Sequence, residues 1–420
     1  MNLLLKYISQ LTTHNSQLSI TGSKSETNRL LLLRALYPNI TLENISNSDD
    51  SDVMFDALQK SKIKNQKSLI VDVHHAGTAM RFLTAYFAIQ ENNEVVLNGS
   101  SRMKERPIKI LVESLQQLGA EITYEEKEGF PPIRIKGKKI TKNKVTLKAN
   151  VSSQYISALL LIAPKLENGL ELTLEGEITS VPYIKMTLAL LNEIGVETSF
   201  ENNIIKVNPK LTTHNPQLIT IESDWSSASY FYSIVALSEI GTQMTLSSFK
   251  KSSLQGDAIL SEIYKDFGVE TVFNENSITI SKISSHNLKP KAYNLNNSPD
   301  IAQTIAVTCL GLGIGCHLTG LHTLKIKETD RLAALRIELT KLGASITVTD
   351  SSLTLNDSNS INSGISIATY QDHRMAMAFA PLALKTNLII ENAEVVSKSF
   401  PSFWEDLAQI GLKNELVSKV

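Results

Sequence analysis

An α/β fold in two domains is predicted by three features of the chain: a recurring helix–glycine–strand unit, a length of 420 residues, and an ordinary globular composition. The unit reads Leu-Gly-Ala-Glu-Ile-Thr-Tyr at 118–124, Ile-Gly-Val-Glu-Thr-Ser-Phe at 194–200, Phe-Gly-Val-Glu-Thr-Val-Phe at 267–273 and Leu-Gly-Ala-Ser-Ile-Thr-Val at 342–348, a spacing of about 75 residues. Two copies would be commonplace in any α/β protein; four with parallel wording are not. The period is too long for a solenoid and fits a small βα-type subdomain, several of which assemble into layers. The length exceeds one ordinary core and suits two or three domains. With 41 Lys+Arg against 42 Asp+Glu, and 42% hydrophobic and 20% charged residues, the chain has no global basic field to attract nucleic acid.

The elements follow in chain order. Leu18 to Ile20 reads as a strand, Thr21-Gly22-Ser23 as a tight turn, and Lys24 onward into Leu30 to Leu33 as a helix, with Ser23 and Glu26 at capping-box spacing. A second helix opens at Ala76-Gly77-Thr78, with Met80, Leu83 and Phe87 as its inward stripe. A third places Ile110, Leu111, Ser114, Leu115 and Leu118 three and four apart, and Gly119 ends it by accepting left-handed backbone. Each copy of the unit is expected to follow such an amphipathic helix. The alternation Val269 to Phe273 reads as a strand, and Asn202-Asn203 and Asn274 to Asn276 as hairpin turns. Thr304 to Leu321 is broken by Gly, Thr and His before it reaches the roughly 18 apolar residues of a membrane helix. Met1 to Leu5 lacks the basic lead and long apolar stretch of a signal peptide, so a cytoplasmic location is expected. Cys309 and Cys316 lie in one apolar, glycine-rich segment without metal-ligand spacing and read as buried thiols.

Three groups of residues are suited to anions. Gly22-Ser23-Lys24-Ser25 with Arg29 joins helix-start N–H groups to positive charge, although the Walker pattern is absent and such a turn is commonly just a surface feature. Ala76-Gly77-Thr78-Ala79-Met80-Arg81 opens a helix where glycine permits close approach to backbone, and Arg102-Met103-Lys104-Glu105-Arg106-Pro107 concentrates three positive charges. Lys327-Glu328-Thr329-Asp330-Arg331 and Asp372-His373-Arg374-Met375-Ala376-Met377 precede apolar helices in the second half. Taken singly, these read as a solvated face, a salt-bridged helix start, a structural histidine and, at Asp300, an N-cap.

In this order, together with Ser152-Ser153-Gln154 and Pro182-Tyr183, the segments resemble the 3-phosphoshikimate 1-carboxyvinyltransferases (EPSP synthases) of the enolpyruvyl transferase family, from about Ser19 to about Trp404. The resemblance implies two lobes of three βαβαββ repeats each, inverse α/β barrel-like: residues 21–222, and residues 1–20 with 223–420, with the active site in the interdomain cleft. It implies transfer of the enolpyruvyl group of phosphoenolpyruvate to the 5-hydroxyl of shikimate 3-phosphate, with loss of phosphate. No metal or organic cofactor, no nucleic acid and no membrane enter, and a monomer is expected.

By the same resemblance, Lys24, Ser25, Arg29, Ser152, Ser153, Gln154, Ser180, Tyr183, Asp300 and Lys327 would face shikimate 3-phosphate. Lys24, Gly77, Arg106, Gln154, Arg331, Arg374 and Lys398 would hold phosphoenolpyruvate, Gly77 admitting it or an analogue such as glyphosate. Glu328 and Asp300 fit as the acid at C3 and the base at the hydroxyl, with Lys24, set among other cations, as rival or partner in proton transfer. Thr21, His74-His75, Phe82 and Thr323 depart from the usual family wording; Thr323 stands where Asn is common and would weaken a phosphate contact. The competing readings are a UDP-N-acetylglucosamine enolpyruvyl transferase, whose loop cysteine and Lys-Asn pair are missing, and a non-catalytic anion-binding relative.

Overall fold

The structure is a computed structural model; it describes residues 1–8, 11, 15–61, 69–149, 152–176, 178–211, 217–285 and 288–417. The chain forms two compact units, Lys24–Ile221, and Met1–Ser23 with Glu222–Val420.

The unit Lys24–Ile221 holds α1 (Lys24–Leu36), α2 (Asp49–Lys60), α3 (Gly77–Ala88), α4 (Lys109–Leu118), α5 (Ser153–Ile162) and α6 (Val181–Glu193). One sheet runs Leu69–Asp72, Glu94–Asn98, Ile133–Lys136, Glu121–Tyr124 in spatial order, its first pair parallel and the others antiparallel. That is a βαβαββ unit: the parallel pair requires a crossover, which α3 supplies, and the last two strands close as a hairpin. A second sheet repeats the order with Lys144–Lys148, Leu170–Glu175, Ile204–Leu211 and Val196–Glu201. The third has two strands among the described residues, Gln217–Thr220 parallel to Ile40–Glu43, fewer than a complete repeat.

The other unit holds α7 (Trp225–Leu237), α8 (Leu260–Ile263), α9 (Ala302–Leu312), α10 (Arg331–Lys341), α11 (His373–Phe379) and α12 (Phe403–Gln409). Its three sheets run Asn15–Leu18, Gln243–Ser247, Ser277–Lys282, Val269–Phe273; then Lys291–Asn294, Cys316–Thr319, Leu353–Leu355, Ile346–Val348; and Ile365–Ile367, Leu388–Ile390, Asn2–Leu5, Asn414–Val417. All repeat the parallel–antiparallel–antiparallel pattern. Two of them take a strand from the first eighteen residues of the chain.

Helices line the interiors and sheets flank them. Each sheet turns one face inward, as Val95 and Leu97 are buried while their neighbours along the strand are partly exposed. Helices α3, α5, α7 and α11 are buried nearly all round, as a core helix must be, whereas α4 buries one stripe. The exceptions in the core helices are informative. In α3 it is Thr78, in α5 Gln154, in α7 Ser226 and in α11 Arg374, each a polar residue in the first turn.

All four repeat glycines have left-handed backbone, with φ +107° at Gly119, +89° at Gly195, +73° at Gly268 and +94° at Gly343. One expectation is corrected: the segment before Gly268 is not a regular amphipathic helix but the single turn α8 continuing as a 3₁₀ helix, Tyr264–Phe267. Three residues per turn put Tyr264 and Phe267 on one face, where both rings are buried with centroids 5.1 Å apart. Cys309 and Cys316 are both buried. Among the described residues no helix is long and apolar enough to cross a membrane, and no group of three or more His, Cys, Asp and Glu is arranged to hold a metal.

Candidate active site

The unit Lys24–Ile221 places its candidate residues at the starts of five helices, α1, α2, α3, α5 and α6. Lys24 begins α1, and its Nζ lies 3.1 Å from Asp50 Oδ2 at the start of α2. Its ion-pair partner within this unit is therefore a carboxylate. Gln154, in the first turn of α5, donates from Nε2 to Thr78 Oγ1 at 3.0 Å, coupling the starts of α5 and α3. Ser152 caps α5, its hydroxyl accepting the Gln154 N–H at 3.4 Å, and Ser153 is buried beside it. Ser180 precedes α6 with left-handed backbone, φ 54°, and its carbonyl accepts the Tyr183 N–H at 3.1 Å. Non-glycine residues adopt that conformation only where the surroundings impose it.

Arg106 packs its guanidinium across Gly77. A Cβ built on Gly77 would run into Arg106 Nη1 and lie 2.8 Å from Cζ, so the missing side chain makes room for the arginine. Arg81 is not a solvated cation: it is buried, donating from Nη1 to Gly77 O at 3.1 Å and from Nη2 to Pro107 O at 3.0 Å. It thereby joins the start of α3 to the segment behind Arg106.

Arg29 is enclosed by protein. Nε donates to Thr187 Oγ1 at 2.8 Å, Nη1 to Ser25 O at 2.8 Å, and Nη2 to Ser157 Oγ at 3.0 Å and Tyr183 O at 3.3 Å. Among the described residues, four of the five N–H donors of the guanidinium are thus directed to protein, leaving one on Nη1. The rings of Phe82 and Tyr183 lie 5.3 and 5.8 Å from its Cζ. Burial lowers its pKa to about 10, which still leaves it charged at neutral pH. Phe82, one of the unusual residues, is here part of the arginine's enclosure.

In the other unit Asp300, Lys327, Glu328, Arg331, Asp372 and Arg374 form one ion network. Arg331 opens α10, fully buried, with Nε on Asp372 Oδ2 at 2.7 Å, Nη1 on Asp300 Oδ1 at 2.8 Å and Nη2 on Glu328 Oε2 at 2.9 Å. Burial alone would lower its pKa, but Asp372, Glu328 and Asp300 together outweigh it and raise the value above the usual arginine range. Asp300 also meets Lys327 Nζ at 3.5 Å through Oδ1 and Arg374 Nη2 at 3.4 Å through Oδ2. Burial works to raise its pKa, yet Arg374, Lys327 and Arg331 hold it well below the ordinary carboxylate range. Asp372 caps α11 by accepting the Arg374 N–H at 2.9 Å. Lys398 donates to Gln371 O at 2.7 Å, and Tyr370 and Gln371 both have positive φ, a strained turn immediately ahead of Asp372.

Sequence reasoning missed Asp50, Thr78, Ser226 and Asp257, and it treated Asp372 as a helix start without its ion pair. Thr78 and Ser226 lie in the first turns of their helices, but Thr84 shares α3 and Ser227, Ser229 and Ser233 share α7, so nothing local singled them out; Asp50 and Asp257 likewise had no signal, since each meets its partner across the fold. The hydroxyl of Thr323 is occluded and has no hydrogen-bond partner among the described residues.

Lys and Arg held in this way suit the capture of anions, and the carboxylates beside Arg331 suit the movement of protons. Residues 8–407 match the model of the family EPSP synthase (3-phosphoshikimate 1-carboxyvinyltransferase). A 3-phosphoshikimate 1-carboxyvinyltransferase of Bacteroides fragilis strain YCH46 is 42% identical over 416 residues, spanning 98% of this chain and 98% of that one. One of Haemophilus influenzae (strain Rd) is 35% identical, spanning 94% and 96%. An EPSP synthase structure from Acinetobacter baumannii superposes with a TM-score of 0.79 at 21% identity over 99% of this chain and all of that one. The enolpyruvyl transferase NikO of Streptomyces tendae follows at 0.74 and 12%, covering 100% and 99%. Those two establish likeness of fold. The chain belongs to the EPSP synthase (3-phosphoshikimate 1-carboxyvinyltransferase) family.

Proposed function

We propose that this chain transfers the enolpyruvyl group of phosphoenolpyruvate to the 5-hydroxyl of shikimate 3-phosphate by addition and elimination. The observation that carries the reading is that Asp300 and Glu328, the two carboxylates able to move protons, are held on one buried guanidinium, Arg331, beside Lys327 and Arg374. The near full-length likeness to 3-phosphoshikimate 1-carboxyvinyltransferases supports it.

In this reading the 5-hydroxyl oxygen attacks C2, Asp300 takes the hydroxyl proton, and Glu328 protonates C3. The tetrahedral adduct then expels inorganic phosphate, which carries off the proton held by Asp300, and returns a C3 proton to Glu328, which restores the double bond. Glu328 Oε2 is bonded to Arg331, and we assign the proton to Oε1. As it stands, Asp300 is a weak base because three cations stabilise its charge. Anionic substrates that draw Arg374 and Lys327 away from it raise its basicity when the base is required. Lys24, Gly77, Arg106, Gln154, Arg331, Arg374 and Lys398 are assigned to phosphoenolpyruvate. Lys24, Ser25, Arg29, Ser152, Ser153, Gln154, Ser180, Tyr183, Asp300 and Lys327 are assigned to shikimate 3-phosphate. Arg331 and Arg29 already direct most of their donors to protein, so their part is chiefly to position neighbours. The family resemblance further supports a monomer acting in the cytoplasm.

The test is release of inorganic phosphate by the purified chain. Release that requires both shikimate 3-phosphate and phosphoenolpyruvate supports the reading; binding of either without release points instead to a non-catalytic relative.

A further inference from the structure

Asp257 lies in the segment Gln255-Gly256-Asp257, outside every motif discussed above. Its carboxyl is buried, and Oδ2 accepts a hydrogen bond from Ser226 Oγ. Ser226 Oγ in turn accepts from Arg374 Nη2 at 3.3 Å, while Arg374 Nη1 donates to Asp300 O at 3.3 Å. Asp257 Oδ1 has no hydrogen-bond partner among the described residues. The segment is tied down on both sides. Gln255 accepts the Trp225 N–H at 2.9 Å and donates to Ser223 O at 2.9 Å, and Ser298 Oγ donates to Gly256 O at 3.3 Å, two residues before Asp300.

We propose that Asp257 is a positioning residue that orients Ser226, so that the serine's lone pair faces Arg374 and holds the guanidinium ready for phosphoenolpyruvate. The inference rests on the assignment of Arg374 to that substrate. An ionised Asp257 fixes the hydroxyl proton of Ser226 toward itself and leaves its lone pairs to Arg374. A protonated Asp257 competes for those lone pairs and loosens the hold. The charged groups facing it are Asp300 of the turn before α9, Arg374 of α11 and Asp224 at the start of α7. Burial, then the neighbouring Asp300 charge, raise its pKa to about 7. A carboxyl kept only for stability would have both oxygens paired.

The experiment is steady-state kinetics from pH 5.5 to 9 on the wild type, Asp257→Asn, Ser226→Ala and the double variant, with thermal unfolding of each. Expected is a roughly tenfold rise in KM for phosphoenolpyruvate in either single variant, the size of losing one hydrogen bond to a charged group. KM for shikimate 3-phosphate stays within about twofold, and the double variant is no worse than the singles because both act through one bond. The wild type's rise in KM for phosphoenolpyruvate toward acid pH is absent in Asp257→Asn. Should that variant fail to fold, Ser226→Ala alone decides. Unchanged KM for phosphoenolpyruvate in folded variants, an equal rise for both substrates, or additive losses overturns the inference while leaving the transferase reading intact. A wild type that releases no phosphate from the two substrates overturns that reading instead.

Discussion

A substitution as small as one methyl tests how the phosphoenolpyruvate groups are placed. Gly77→Ala puts Cβ into the Arg106 guanidinium, so the arginine swings aside and the helix start loses its neighbouring cation. The variant is expected to raise KM for phosphoenolpyruvate several-fold and to leave KM for shikimate 3-phosphate little changed; equal effects on both would show that Arg106 does not serve the first. Glu328→Gln removes the proton that C3 requires. Its kcat is expected to fall by about 10²–10⁴, with substrate dissociation constants from equilibrium titration within about threefold. At this scale the site was partly legible. Charged residues in tight motifs announced themselves, as with Lys327 to Arg331 and Asp372 to Arg374. Residues that act by meeting a distant partner did not, because nothing local distinguishes Asp50 or Asp257 from an ordinary surface carboxylate.

The recurring joint between helix and strand was the most legible element, because a glycine with positive φ is demanded locally and needs no knowledge of the fold. Gly119 separates the two costs a side chain brings. A Cβ there would touch nothing within 4 Å, yet φ is +107°. Gly119→Ala is therefore expected to lower stability by about 1–2 kcal/mol through backbone strain alone, measured by urea unfolding, with kcat and both KM values unchanged. A neutral result would mean that the α4 joint relaxes to another conformation. The turn before Gly268 was misread for a physical reason: its two buried aromatics sit three residues apart, a spacing shared by α and 3₁₀ helices. Four of the repeats were legible, but neither the number of sheets nor their composition was, since strands contributed by residues 1–18 pair with partners more than two hundred residues away.

Across the whole molecule, two carboxyls in one unit respond to pH with opposite sign. Asp300, held well below its ordinary value by Arg374, Lys327 and Arg331 despite its burial, adds stability that is present above about pH 4 and lost as the pH falls through its folded-state value. Asp257, raised to about 7 chiefly by burial, binds its proton more tightly in the folded chain, so its contribution is lost as pH rises from about 4 to 7. Asp257→Asn is accordingly expected to gain stability over the wild type on going from pH 5 to pH 8, read from denaturant midpoints at each pH. No change with pH would mean that the carboxyl titrates as it does when unfolded. Holding a costly charge beside a candidate site is the pattern expected where function competes with stability.

Addition followed by elimination makes C3 a methyl group for the lifetime of the adduct, and one of its three hydrogens then leaves. The most direct measurement is therefore mass spectrometry of the product formed from shikimate 3-phosphate and phosphoenolpyruvate in D₂O. The account predicts deuterium in the vinyl methylene of the enolpyruvyl product, with formation of that product nearly abolished in Glu328→Gln. A fully protiated methylene in the wild-type product, or an undiminished rate in Glu328→Gln, would contradict it.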